Sequence, residues 1–123
     1  MQDQPTPVEL LQAIAQFLRE RVVPQLETQA AFHARVSANV LEILARQWEL
    51  APPAEQRELE GLRQLLQQDG SLEQLNAELC KHIASGELTL ETSGLADHLW
   101  QITLDKLAVD QPRYETYRRI SQA

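Results

Sequence analysis

The side chains that could carry chemistry lie first along one stretch, Pro24 to Trp48, which reads PQLETQAAFHARVSANVLEILARQW with no glycine and no further proline. Leu26, Phe32, Val36, Val40, Ile43 and Leu44 recur there at helical spacing. His33, Ser37 and Gln47 fall within that apolar arc rather than opposite it. A histidine so placed could act as a base or a ligand in a pocket between helices. The plainer reading is a core or interface histidine whose ring nitrogens bond to neighbours, since an unpaired buried polar group costs about 1–3 kcal/mol. Ser37 then serves as a small residue that lets another helix approach.

Arg35, Asn39, Glu42 and Arg46 form a polar stripe on the other side. Glu42 and Arg46, four apart with the acid first, suit a solvent-exposed pair worth about 0.2–0.5 kcal/mol. Arg35 and Asn39 together could hold a carboxylate or a phosphate, or simply bond at the surface. Asn76 shares a helical face with Leu72 and Cys80. His82 points away from that thiol, which leaves Cys80 without a base and expected to be an inert, buried small hydrophobe. Lys106 falls between Leu99 and Ile102 in angle, so its stem lies on apolar surface while its charge suits the last turn of a helix. Asp97, His98, Gln101 and Asp105 share one polar face.

None of these spacings is a known catalytic or metal motif. His-x-x-x-His and Glu-x-x-His are both missing, as are a glycine-rich phosphate loop, a dinucleotide fingerprint and a nucleophile elbow. No metal and no cofactor is expected.

The elements that must position these residues are helices. Thr6-Pro7-Val8-Glu9 is a capping box with proline at the first helical position. Leu10, Leu11, Ile14, Phe17 and Leu18 then line one side of a first helix ending near Arg21. Pro24 disfavours helical geometry at Val23, so a break is expected before the central helix, Pro24 to Trp48. Trp48, Leu41, Ala34, Ala45 and Ala38 widen the apolar arc of that helix. Such coverage implies neighbours on more than one side, as a wrapped central helix or a subunit interface.

Ala51-Pro52-Pro53 reads as a stop or a separator. A third helix over Ala54 to Gln67 presents Leu59, Leu62, Leu65 and Leu66, with Gly61 as a mild weakness. A fourth opens at Ser71 with a second capping box, carries Leu72, Leu75, Leu79 and Ile83, and ends at Gly86. Leu88 to Gly94 connects it, with some extended character, to a fifth helix over Leu95 to Ala108, which Asp110-Gln111-Pro112 ends. Arg113 to Ile120 forms a last short helix or lies on the surface through Tyr114, Tyr117 and Ile120. The expected architecture is all-α: a single domain over residues 1–123, built as a mostly antiparallel bundle of about five helices around a long second helix, with a short C-terminal extension.

A chain of 123 residues is long enough to bury one core without staples. Its net charge of −7 repels phosphate backbones and anionic lipid, so neither nucleic acid nor a membrane surface is expected as a partner. Arg113, Arg118 and Arg119, with Glu115 among them, are a local exception that reads as a solvated tail. Cys80 is the sole cysteine and has no internal disulfide partner. The opening Met-Gln-Asp-Gln-Pro has neither the basic nor the apolar segment of a signal peptide, and no run approaches the roughly 20 apolar residues that cross a bilayer. A cytoplasmic location is the expectation.

Four blocks carry a resemblance: PTPVELLQAIAQFLRE at Pro5 to Glu20, AFHARVSANVLEI at Ala31 to Ile43, SLEQLNAELCKHIASGEL at Ser71 to Leu88, and LDKLAVDQPRY at Leu104 to Tyr114. Together they resemble a small bacterial family catalogued as a domain of unknown function, in which an Asn-Pro-Arg-Tyr ending is usual; Gln111 stands before the proline here. The resemblance implies a gene neighbourhood of phosphotransferase-like kinases and acyl-CoA dehydrogenases, and hence an accessory role in acyl-CoA or kinase-linked metabolism. It supplies no catalytic residues. The positions matching the family's recurrent polar residues are His33, Arg35, Asn39, Asn76, Lys106, Asp110, Arg113 and Tyr114, the candidate ligand-binding set. If the start of the central helix lies beside the end of the fifth, Arg35, Lys106 and Arg113 make a cationic spot.

Three functions compete. The favoured one is a non-enzymatic interaction protein, homodimeric, that binds or modulates a kinase-like or acyl-CoA dehydrogenase-like partner. The second is a binding protein for a small anionic metabolite, which needs Arg35, Lys106 or Arg113 to converge on a concave site. An enzyme comes last, because it needs His33 as base with Asp110 or Asp105 to orient it.

Overall fold

The computed structural model describes residues 3–122, so Met1, Gln2 and Ala123, the outermost residues of the expected domain, lie outside it. The described residues form five α-helices and no strand: α1 (Pro7–Phe17), α2 (Thr28–Leu66), α3 (Leu72–Ser85), α4 (Leu95–Asp110) and α5 (Glu115–Ser121). The all-helical class read from the sequence is the one the chain adopts, and its second helix is the long one. The chain divides into two compact units, and the division falls within α2, between Leu50 and Ala51.

In the first unit α1 starts as its sequence dictates. Thr6 Oγ1 accepts the Glu9 N–H at 3.2 Å while Glu9 Oε2 accepts the Thr6 N–H at 2.7 Å, closing the capping box. After Phe17 the chain widens into a π turn, Leu18–Val22, and then tightens into a 3₁₀ turn, Val23–Gln25, that contains Pro24. The expected break is therefore present. The central helix starts later than Pro24, however, because Leu26 is extended and Thr28 has a φ of +45°; the helical path is interrupted there and resumes at Thr28.

The buried residues of this unit are all alanines. Ala15 of α1 and Ala31, Ala38 and Ala45 of α2, the last three spaced by seven, make a thin seam. Arg19, just past α1, ties the two strokes of this helical hairpin together. Its Nε bonds to Glu42 Oε1 at 2.7 Å and its Nη2 to Glu42 Oε2 at 3.0 Å, and Nη2 also donates to Asn39 Oδ1. The Glu42 hydrogen bond, opposed by partial desolvation, raises the Arg19 pKa further above its ordinary value.

The stop expected at Ala51-Pro52-Pro53 is not one: α2 continues through both prolines to Leu66, so the expected second and third helices are a single helix. Two ring nitrogens cannot donate to the carbonyls of Trp48 and Glu49. Residues 47–50 are exposed, so water can bond to those carbonyls in place of the missing N–H groups.

The second unit has a conventional core. Leu62 of α2, Leu75 and Leu79 of α3 and Leu95 of α4 are buried together, with Leu59, Leu65, Leu66, Leu72, Leu88 and Leu99 packed against them. The Ser71 capping box opens α3: Ser71 Oγ accepts the Gln74 N–H at 3.2 Å, and Gln74 Oε1 accepts the Ser71 N–H at 3.0 Å. Gly86 closes it at φ +80°, a conformation that a side chain resists. The segment from Leu88 to Gly94, expected to be partly extended, is a series of turns held by the Thr92 N–H on the Thr89 carbonyl at 2.8 Å. The C-terminal segment is helical, as α5.

Candidate functional site

In the first unit the large apolar residues of α2 are on the outside. Phe32 and Trp48 are 56% and 63% exposed, and Val36, Val40 and Leu44 between them are exposed as well. These five recur every fourth residue and form one oblique ridge, placed by helical geometry on the side of α2 opposite the alanine seam. The reading of a central helix wrapped by its own chain fails here, because among the described residues of this unit only alanines are fully buried, with Leu41 and Ile43 of α2 half-buried. At 100° per residue the arc containing this ridge also holds Gln29, Ala30, His33, Ser37, Ile43, Gln47 and Leu50. It includes no Asp, Glu, Lys or Arg over six turns, in a chain where 24% of residues are charged.

The candidate polar residues of this unit follow from that arrangement. His33 is exposed rather than a core residue, its ring edge-on to Phe32 with centroids 5.6 Å apart. Ser37 Oγ bonds back to the His33 carbonyl at 2.9 Å. Asn39 is engaged by Arg19, and Arg35 is exposed. Arg19 itself was not legible as a site residue, since it sits beyond the last turn of a short helix and its partners are 20 and 23 residues away.

In the second unit the polar groups meet between helices. Asn76 of α3 donates to Glu58 Oε1 of α2 at 2.8 Å, Arg57 Nη2 of α2 donates to Asp105 Oδ1 of α4 at 2.9 Å, and Gln101 donates to the same oxygen at 3.1 Å. The polar face of α4 expected from the sequence is partly a contact face. Its His98 lies on Gly61, where a methyl group would be 2.5 Å from Nδ1. The close approach requires glycine, so Gly61 is a packing position rather than a weakness. Burial lowers the His98 pKa, and the nearby Glu58 carboxylate opposes the shift. His98 Nε2 is buried and has no hydrogen-bond partner among the described residues, so it cannot reach a substrate as it stands.

The remaining candidates, Lys106, Asp110, Arg113 and Tyr114, are exposed; Lys106 is not in the last turn as expected, because α4 runs on to Asp110, and Arg113 and Tyr114 follow the helix. Lys106 and Asp110 are four apart on one face of α4. Asn76 is occupied with Glu58, and His33, Arg35 and Asn39 belong to the first unit. Cys80, expected to be buried, is exposed. His82 Nδ1 bonds to Glu87, and Lys81 reaches Glu78 at 2.6 Å, a contact that holds the Glu78 carboxyl below its ordinary pKa. No group of three or more His, Cys, Asp or Glu among the described residues is placed to hold a metal ion. None of their helices is long and apolar enough to cross a membrane.

Residues 24–114 match the family described as Domain of unknown function (DUF6285). The chain belongs to this family. The DUF6285 match takes in the exposed ridge of α2, the leucine core and all eight candidate polar positions; α1 precedes it. No curated protein and no solved structure matches the chain.

Proposed function

We propose that this DUF6285 protein is a non-enzymatic, cytoplasmic interaction protein that works by docking another protein on the outer side of the first half of α2. The observation that carries the reading is the uncharged ridge from Phe32 to Trp48, left exposed by its own chain. Contiguous apolar surface of this kind on a water-facing helix is what protein interfaces bury. The covering protein is a second copy or an enzyme of an acyl-CoA or kinase-linked system, the setting implied by the family resemblance. Binding requires no catalytic group on this chain, and neither His33 nor His98 is arranged as a base with an orienting acid.

Co-expression of the tagged full chain with a kinase-like and an acyl-CoA dehydrogenase-like protein, followed by pull-down, tests it. Retention of either, or self-association by light scattering, should be abolished by Val36→Glu with Leu44→Glu while the helical circular dichroism is unchanged. A chain that stays monomeric and retains neither protein overturns the reading.

A further inference from the structure

Resting on that reading, we infer that the occupant of the ridge is a second copy of this chain, paired antiparallel about a two-fold axis at Val40. A two-fold interface must be self-complementary, because each residue meets the same surface it belongs to. The ridge has the same classes of side chain from either end, an aromatic at each tip and aliphatic residues between. In an antiparallel pair centred on Val40, residue 40 + k of one copy lies opposite residue 40 − k of the other. Phe32 then meets Trp48, Val36 meets Leu44, and Val40 meets itself.

One polar pair follows the same symmetry. His33 falls opposite Gln47, which gives each a hydrogen-bonding partner as the surrounding apolar groups lose water. Ser37 falls opposite Ile43, and Ala30 opposite Leu50, so small residues oppose large ones. No residue of the arc brings its own charge against its copy, a requirement for self-association of a protein carrying −7 overall. Aromatic meets aromatic, aliphatic meets aliphatic and His33 meets Gln47, a match that a partner of different sequence would not demand.

Area and packing agree with this assignment. The five ridge residues expose roughly 500 Å², and with the flanking arc the surface approaches the roughly 800 Å² that each side of a standard interface buries. Side chains spaced by four form the ridges through which helices interlock. The fully buried residues among those described in the first unit are all alanines, so pairing would complete the burial of its larger side chains.

Cysteine cross-linking of the full chain tests the axis, in a Cys80→Ser background that removes the exposed native thiol. Val40→Cys should give a disulfide-linked dimer on mild oxidation. Val36→Cys alone should not, since two such residues would be displaced by roughly 12 Å along the helices, beyond disulfide reach. An equal mixture of Val36→Cys and Leu44→Cys chains should restore the cross-link. Leu90→Cys, at the exposed Leu90 of the second unit, sets the background rate. Light scattering at tens of micromolar should show a dimer for the wild-type chain, and Val40→Glu should raise its dissociation constant by at least ~100-fold by placing like charges together.

Cross-linking of Val40→Cys no faster than Leu90→Cys, or a wild-type monomer, overturns the two-fold pairing. A wild-type monomer that still retains a co-expressed enzyme, and releases it on Val40→Glu, overturns the second copy while leaving the interaction reading in place. A monomer retaining nothing overturns both.

Discussion

The two units spend their apolar residues in opposite ways. The second turns leucines inward from three helices, with Leu62 and Leu75 wholly covered, and the large apolar residues it exposes, Ile83, Leu90, Trp100 and Tyr114, lie on separate elements. The first turns alanines inward and displays Phe32, Val36, Val40, Leu44 and Trp48. Burial of one leucine contributes about 1.5–3 kcal/mol, whereas an alanine offers little more than one methyl group. The contrast teaches that hydrophobic content does not report self-sufficiency. What matters is which side of the helix meets a neighbour, and the first unit leaves the larger side chains of α2 exposed.

Substitutions should expose this contrast most strongly at the leucine core. Leu75→Ala should destabilise the second unit by about 2–5 kcal/mol, read by urea denaturation, whereas Val40→Ala at concentrations too low for association should change stability by no more than about 0.5 kcal/mol. Equal effects would erase the distinction. Next comes the seam. Ala38→Leu, which inserts three carbons where there is no exposed surface, should cost about 1–3 kcal/mol by forcing the hairpin apart, and should loosen amide-exchange protection in residues 28–50 before residues 59–79.

Gly61→Ala sharpens the picture within the second unit. A methyl group there collides with His98, at a cost of about 1–3 kcal/mol, offset in part by up to ~1 kcal/mol of better helix propensity. A modest net loss of stability is expected, and His98→Ala should relieve the collision in the double variant. The smallest effect is on pH dependence. Because burial depresses the folded-state pKa of His98, the unfolded chain takes up its proton first. The contribution of neutral His98 is complete above about 6.5, the ordinary histidine value, and is lost as pH falls through the lower folded value. Melting temperature measured from pH 7.5 to 5 should fall more for the wild-type chain than for His98→Gln.

Much of this fold is written locally. Thr6 and Ser71 announce their helices through capping boxes, Gly86 ends one through its left-handed φ, and of the stripe Leu72, Leu75, Leu79 and Ile83 the middle two are buried while Leu72 is half-buried and Ile83 exposed. Other features depend on what lies beside a residue, which periodicity does not contain. Pro52-Pro53 looks like a stop because the lost donors are visible in the sequence, while the exposure that lets water satisfy their acceptors is not. Phe32 and Val36 mark an apolar side, yet nothing in their spacing says whether the same chain covers it. At the candidate site the sequence pointed to His33, which is open to solvent, and passed over His98, which is half-buried with its Nε2 covered. The signal for the latter was Gly61, a glycine inside a helical run where alanine would be the easier residue.

The placement of the two tryptophans has an optical consequence. Trp48 stands in the first unit and Trp100 in the second, and both are more than half exposed. Emission from the isolated chain should therefore peak at the long wavelengths of hydrated indole. Covering the α2 ridge dehydrates Trp48 alone, so a Trp100→Phe chain reports occupancy of that side as a blue shift, without an added label.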